Sequence, residues 1–187
     1  MKCSYEHDNR LTCWDSEDEN AYHEAAHITV AAVLGLELLP EGILIYESAG
    51  ASKALGGLAC YREGDLDDPN NRMNVLSALL AGFKAQDRQF PESKPHGGGT
   101  DIMKFYEIMT KFNWEPSQIS VHENSVRLVD MYWDVIKALA DALQQQAWQE
   151  VTEEERKNEG AGRKKQLDRN AIMNIIHDIP GTSLGER

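Results

Sequence analysis

The hydrophobic residues of this chain recur mostly at helical spacing. A first apolar run, rich in alanine, valine and isoleucine, extends to about Leu34. Ser16 and the acidic residues that follow it form a capping box that predicts the start of a helix, and Gly35 suits its C-terminal end. Apolar residues all around this segment indicate that the helix is largely buried.

Helical spacing returns in four later segments, each with a start or stop signal. The predicted helices run from Asp68-Pro69 to before Pro91, from a cap at Thr100 or Asp101, from about Ser117 to Glu150, and after a cap at Asp168. Proline and glycine residues separate these segments. The chain is therefore predicted to be mainly α.

Two short segments have the composition of strands. Glu41–Glu47 is rich in isoleucine and leucine, and Leu55–Tyr61 contains two glycines that allow a close backbone approach. Together they predict a small β-hairpin or sheet beside the first helix. An exposed strand there could hold an extended peptide by strand addition, and a purely structural hairpin is an equal alternative.

The distribution of polar residues divides the chain into a main domain with flanking segments. Residues 1–15 are polar and are expected to form a flexible arm, and residues 16–150 carry the main helical domain. Residues 151–166 are charged and contain two glycines, which predicts a solvated linker. Residues 167–187 are expected to form a C-terminal helix that packs back on the domain, and a tail.

Composition excludes several classes of partner. The 187 residues, 41% of them hydrophobic, suit one globular domain. A net charge of −12 repels phosphate backbones, so we expect no nucleic-acid partner. No run of eighteen apolar residues and no signal-peptide core is present, so no membrane association is expected. Three scattered cysteines indicate reduced thiols, and Cys60 is interpreted as a buried strand residue; the expected compartment is the cytoplasm.

The first helix carries a His-Glu-x-x-His motif. His23 and His27 are four residues apart, so both imidazoles can point at one position and supply half of a tetrahedral zinc shell. Glu24 is rotated off that line and stays beside a water on the metal, where a general base for peptide hydrolysis is needed. The plain alternative is an amphipathic helix whose histidines are polar edge residues.

A catalytic zinc site needs a third protein ligand and one open position. The metzincin pattern would place Gly and His where this chain has Val30 and Val33, so that class is excluded. His96, in a glycine-rich loop, could reach the metal, although an exposed loop histidine is the simpler interpretation. Three glutamates that follow the motif are also candidates for the third ligand, but they fall in predicted strand or loop: Glu41, Glu47 and Glu63.

The motif and two further segments resemble a known family. Ala21–His27 resembles the zinc-peptidase domain of the FtsH-type membrane-anchored AAA+ proteases. Leu79–Gln86 is similar to that family's second helix, and Gly98–Ile102 is similar to the loop that delivers its third zinc ligand. The resemblance covers most of residues 20–178 and implies a helical, zincin-like peptidase domain. The site residues that it implies are His23, His27 and Asp101 as Zn²⁺ ligands and Glu24 as general base.

The chain departs from this family at several points. Ala26 replaces the usual glycine, and Gln86 stands where the family has glutamate. No P-loop is present, so no intrinsic ATPase is expected and a substrate must already be unfolded or short. The leading hypothesis is therefore a soluble zinc metallopeptidase, with a separate ATPase or self-association as candidate partners. The alternative is a non-catalytic zinc-binding or protein-interaction module that retains the fold.

Overall fold

The computed structural model describes residues 16–49, 55–92, 99–113 and 118–182. These residues form seven helices and one four-stranded antiparallel sheet, which confirms the predicted mainly α class with a small sheet. The helices are α1 Glu17–Val33, α2 Pro69–Gln89, α3 Gly99–Lys111, α4 Gln118–Met131, α5 Trp133–Gln145, α6 Glu153–Glu159 and α7 Arg169–Asp178. The strands are β1 Leu38–Ser48, β2 Leu55–Tyr61, β3 Gln149–Glu150 and β4 Ala161–Leu167. The predicted N-terminal arm and His96 lie outside the described residues.

Helix α1 is the centre of the molecule. The Ser16 hydroxyl accepts a hydrogen bond from the Glu19 backbone N–H at 3.2 Å, and Gly35 adopts a positive φ of 74° just past the C-terminus, as the sequence predicts. Every residue of α1 from Glu19 onward is buried, because α2 and α5 pack on it together with β1 and β2. A polar group on this helix is therefore held in place by neighbours on all sides.

The strands are ordered β2-β1-β4-β3. Alternate residues of β1 enter two clusters: Ile43 and Ile45 pack into the main core with the helices, and Leu44 and Tyr46 form a smaller cluster on the opposite face. Cys60 lies buried in that second cluster, which confirms its predicted place. Strand β2 forms one edge of the sheet described here and lies against α1.

The prediction of a solvated linker over residues 151–166 is wrong. This segment contains α6 and most of β4, which is inserted between β1 and β3. The basic residues of β4 are paired: the Arg163 guanidinium donates two hydrogen bonds to Glu47 at 2.9 and 2.7 Å, and the buried Lys165 ammonium donates to Glu17. Because the aliphatic parts of these side chains pack while their charges are neutralised, a segment with many charged residues can form an internal strand of the sheet.

The single helix predicted from Ser117 to Glu150 is also wrong. It is two helices, α4 and α5, divided at Tyr132, and the end of the predicted span is the short strand β3. Helix α4 packs on α2 and α5 packs on α1. The break at Tyr132 lets the apolar residues before and after it contact two different helices. None of the helices within the described residues has the length and apolar character needed to cross a membrane.

Candidate metal centre

Three of the predicted site residues converge at the contact between α1, α2 and α3. His23 and His27 are 1% and 3% exposed, one helical turn apart, with ring centroids separated by 4.4 Å. Asp101 lies in the first turn of α3, and its Oδ2 atom is 3.1 Å from His23 Nε2 and 3.3 Å from His27 Nε2. The side chains that the motif and the resemblance single out thus face one another from two helices.

Hydrogen bonds on the far side of each ring set the state of the two imidazoles. Since a carbonyl oxygen can only accept, His27 Nδ1 donates its proton to Ala78 O at 2.6 Å. His23 Nδ1 lies 3.3 Å from Gln86 Oε1 and donates to it in the same way. In a neutral ring, Nε2 then carries a lone pair directed at Asp101. Such a partner on the second nitrogen is what orients a histidine for a metal.

Two lone pairs and a carboxylate facing one another need a positive charge between them. Burial would lower the pKa of His27, but the charge of Asp101 raises that pKa to about 9. Burial would raise the pKa of Asp101, and the two histidines instead hold it well below its usual range. The buried His27 Nε2 makes no hydrogen bond of standard geometry to any described residue. Without a metal, a proton on His27 is the charge that balances the cluster.

The dimensions of the cluster fit a zinc ion. Three donors bound to Zn²⁺ at about 2.0–2.1 Å with tetrahedral angles lie roughly 3.3 Å apart. The two separations from Asp101 to the histidines, 3.1 and 3.3 Å, have this length. The donor set of two neutral imidazoles and one carboxylate is one that catalytic zinc sites use.

Helix α2 leaves room for these donors because it has a glycine where it crosses α1. A Cβ atom placed on Gly82 would lie 2.6 Å from Nε2 of His23 and 2.6 Å from Nε2 of His27. Any side chain at this position would therefore press on both donor atoms. A glycine within this helical segment predicts close helix packing, and the structure places Gly82 against the donor atoms themselves.

Glu24 lies beside the cluster and outside the donor set. Its carboxylate packs beneath Gly57 of β2, where an added Cβ would come within 2.7 Å of the carboxyl carbon, and it accepts a hydrogen bond from the Ala59 backbone N–H. Burial raises the pKa of Glu24 to about 8, against the opposing effect of His27. A carboxylate with a pKa near neutrality can both take up and release a proton.

The other candidates for a third ligand lie apart from the cluster. Glu47 is paired with Arg163, Glu63 with Lys104, and Glu41 is exposed. His122 and His177 are also exposed. The Ala78 carbonyl was not predictable, since a backbone acceptor has no sequence signal.

Comparison of the chain with protein-family models gives no match, and comparison with curated proteins gives none either. The residues and geometry of this site are therefore what points to a function.

Proposed function

We propose that this chain is a zinc-dependent metallopeptidase that hydrolyses peptide bonds in unfolded or short polypeptides. The observation that carries the proposal is the convergence of two Nε2 lone pairs and the Asp101 carboxylate on one space, with Glu24 beside it. The resemblance of the motif segments to the FtsH-type peptidase domain supports the same function.

Each site residue has a defined role in this proposal. His23, His27 and Asp101 would hold the ion, and Gln86 and Ala78 would fix the two imidazole rings. A bound zinc ion supplies Lewis acidity, which lowers the pKa of a coordinated water to about 7.

Glu24 is the general base and then the general acid of the reaction. It takes a proton from the attacking water and passes that proton to the leaving amine, which balances the hydrolysis. Two imidazoles and a carboxylate also suit ferrous iron, and the carboxylate of Glu24 beside the donors favours hydrolysis over oxidation.

The surroundings of the site favour an extended substrate. The two histidines are almost fully buried, and the Asp101 side chain is 25% exposed, so solvent reaches the cluster on the side of Asp101. Strand β2, with Leu58 45% exposed, forms the sheet edge next to Glu24. A peptide that is already extended can add to such an edge, whereas a folded chain cannot.

The test is zinc-dependent cleavage of an unfolded protein. We expect the purified full chain to cleave fluorescein-labelled casein, to lose this activity with a chelator, and to regain it when zinc is added. A tightly folded protein without flexible loops should stay intact unless a separate ATPase unfolds it. If zinc-loaded protein binds casein without cleaving it, the non-catalytic alternative replaces the peptidase.

A further inference from the structure

We propose that the Tyr61 hydroxyl donates a hydrogen bond to the oxygen of the scissile carbonyl as negative charge develops there. Tyr61 would thus be a catalytic residue in addition to Glu24. The inference rests on the proposed peptidase function and deepens it.

The alternation of side chains along β2 places Tyr61 on the side of the metal centre. Gly57, Ala59 and Tyr61 share one face of the strand, and Gly57 and the Ala59 backbone both contact Glu24. Ala59 and Tyr61 pack on the main core, whereas Cys60 between them belongs to the cluster on the opposite face. Tyr61 therefore lies on the same face of β2 as the two residues that contact the general base Glu24.

Helix α3 closes the same region from the other side. Glu63, two residues beyond Tyr61, forms an ion pair with Lys104, which lies one turn after Asp101 on α3. This pair ties the end of β2 to the helix that carries the third donor. The end of β2 that carries Tyr61 is thus fixed next to the helix that carries Asp101.

The Tyr61 side chain also borders open space, which the residues of the metal centre do not themselves line. It lines a cavity of about 640 Å³ together with Leu36, Glu37, Glu63 and Asn71. Within the described part of the chain, no residue forms a hydrogen bond with its hydroxyl. A phenol beside a cleft with its proton unused is available to a ligand.

The environment of Tyr61 keeps its hydroxyl protonated, so that it can donate a hydrogen bond. Burial raises the pKa of its hydroxyl, and the nearby carboxylates of Asp101, Glu63 and Glu24 raise it further. The phenol therefore keeps its proton over the working pH range. A preorganised donor of this kind acts on charge that appears only in the transition state, and loss of one such donor costs about 10²–10³ in kcat.

The test compares Tyr61→Phe with the matched control Tyr106→Phe, both as zinc-loaded full chains. Tyr106 lies on α3 and is 56% exposed, so removal of its hydroxyl should change nothing. For Tyr61→Phe we expect unchanged zinc content and KM, with kcat on a quenched fluorescent peptide lower by about 10²–10³. Calorimetry with a phosphinic analogue of that peptide should show binding weakened by a similar factor.

The outcomes separate this inference from the proposed function. If the parent protein cleaves the peptide and Tyr61→Phe cleaves it equally fast, the role of Tyr61 is refuted and the peptidase stands. A raised KM with unchanged kcat would equally refute it, because the hydroxyl would then serve ground-state binding. If the zinc-loaded parent neither cleaves the peptide nor binds the phosphinic analogue, both the function and the inference fall.

Discussion

The substitution Gly82→Ala is expected to abolish tight zinc binding while leaving the fold intact. Its new Cβ would lie 2.6 Å from the Nε2 atoms of both histidines, whereas ordinary contacts are 3.4–4 Å. The rings must therefore move by about 0.8 Å or more, which exceeds the roughly 0.5 Å within which a site must be held. We expect zinc affinity to fall by about a hundredfold or more, equivalent to about 2.8 kcal/mol.

The same substitution would otherwise favour the helix. Alanine in a helix interior is more stable than glycine by about 0.5–1 kcal/mol, so lost zinc binding could not be attributed to weakened helix α2. Competition titration with a chromogenic zinc chelator measures the affinity, and circular dichroism confirms the fold. The matched control is Gly99→Ala, whose Cβ meets nothing within 4 Å. Zinc affinity of Gly82→Ala within threefold of the parent would refute the placement of the ion between these rings.

Further predictions concern the general base, the third ligand and the effect of pH on zinc binding and stability. Glu24→Gln should keep zinc and fold but abolish casein cleavage. Gly57→Ala should have the same effect, because its new Cβ would displace the Glu24 carboxylate. If Glu24→Gln cleaved casein as fast as the parent protein, Glu24 would not be the general base. Asp101→Asn should weaken zinc binding by well over tenfold, that is by more than about 1.4 kcal/mol, in the same titration, whereas a residue that only caps the helix would tolerate the exchange. Zinc must displace the proton from His27, whose pKa in the metal-free fold is about 9, so affinity should rise about tenfold per pH unit up to pH 9. In the metal-free protein, this proton stabilises the fold fully below pH 6.5, the ordinary pKa of histidine, and the stabilisation is lost as the pH rises through about 9. Denaturation of the metal-free protein at a series of pH values would measure this loss.

The histidine pair and the helix that carries it could be predicted because both depend on local spacing. Residues four apart share a helix face whatever surrounds them, and Ser16 and Gly35 mark the ends of α1 through short-range geometry. Asp101 required the family resemblance, because 74 residues separate it from His27 and no local rule connects them. The structure brings it within 3.3 Å of His27.

The features that could not be predicted depend on distant partners. Arg163 and Lys165 made β4 look like a linker, since their pairing with Glu47 and Glu17 is visible only in the folded chain. The break at Tyr132 has no proline or glycine, and it follows from packing on two different helices. The proximity of Gly82 to both donor atoms likewise depends on how α2 crosses α1.

The most direct test of the account is zinc K-edge X-ray absorption on the purified chain after reconstitution with zinc. We expect about one zinc per chain, with two imidazole nitrogens at about 2.0–2.1 Å and oxygen ligands at about 2.0–2.2 Å, and loss of the zinc in His23→Ala or His27→Ala. Protein that takes up no zinc, or that holds it with the same spectrum after both substitutions, would contradict the assignment of this cluster as the metal centre.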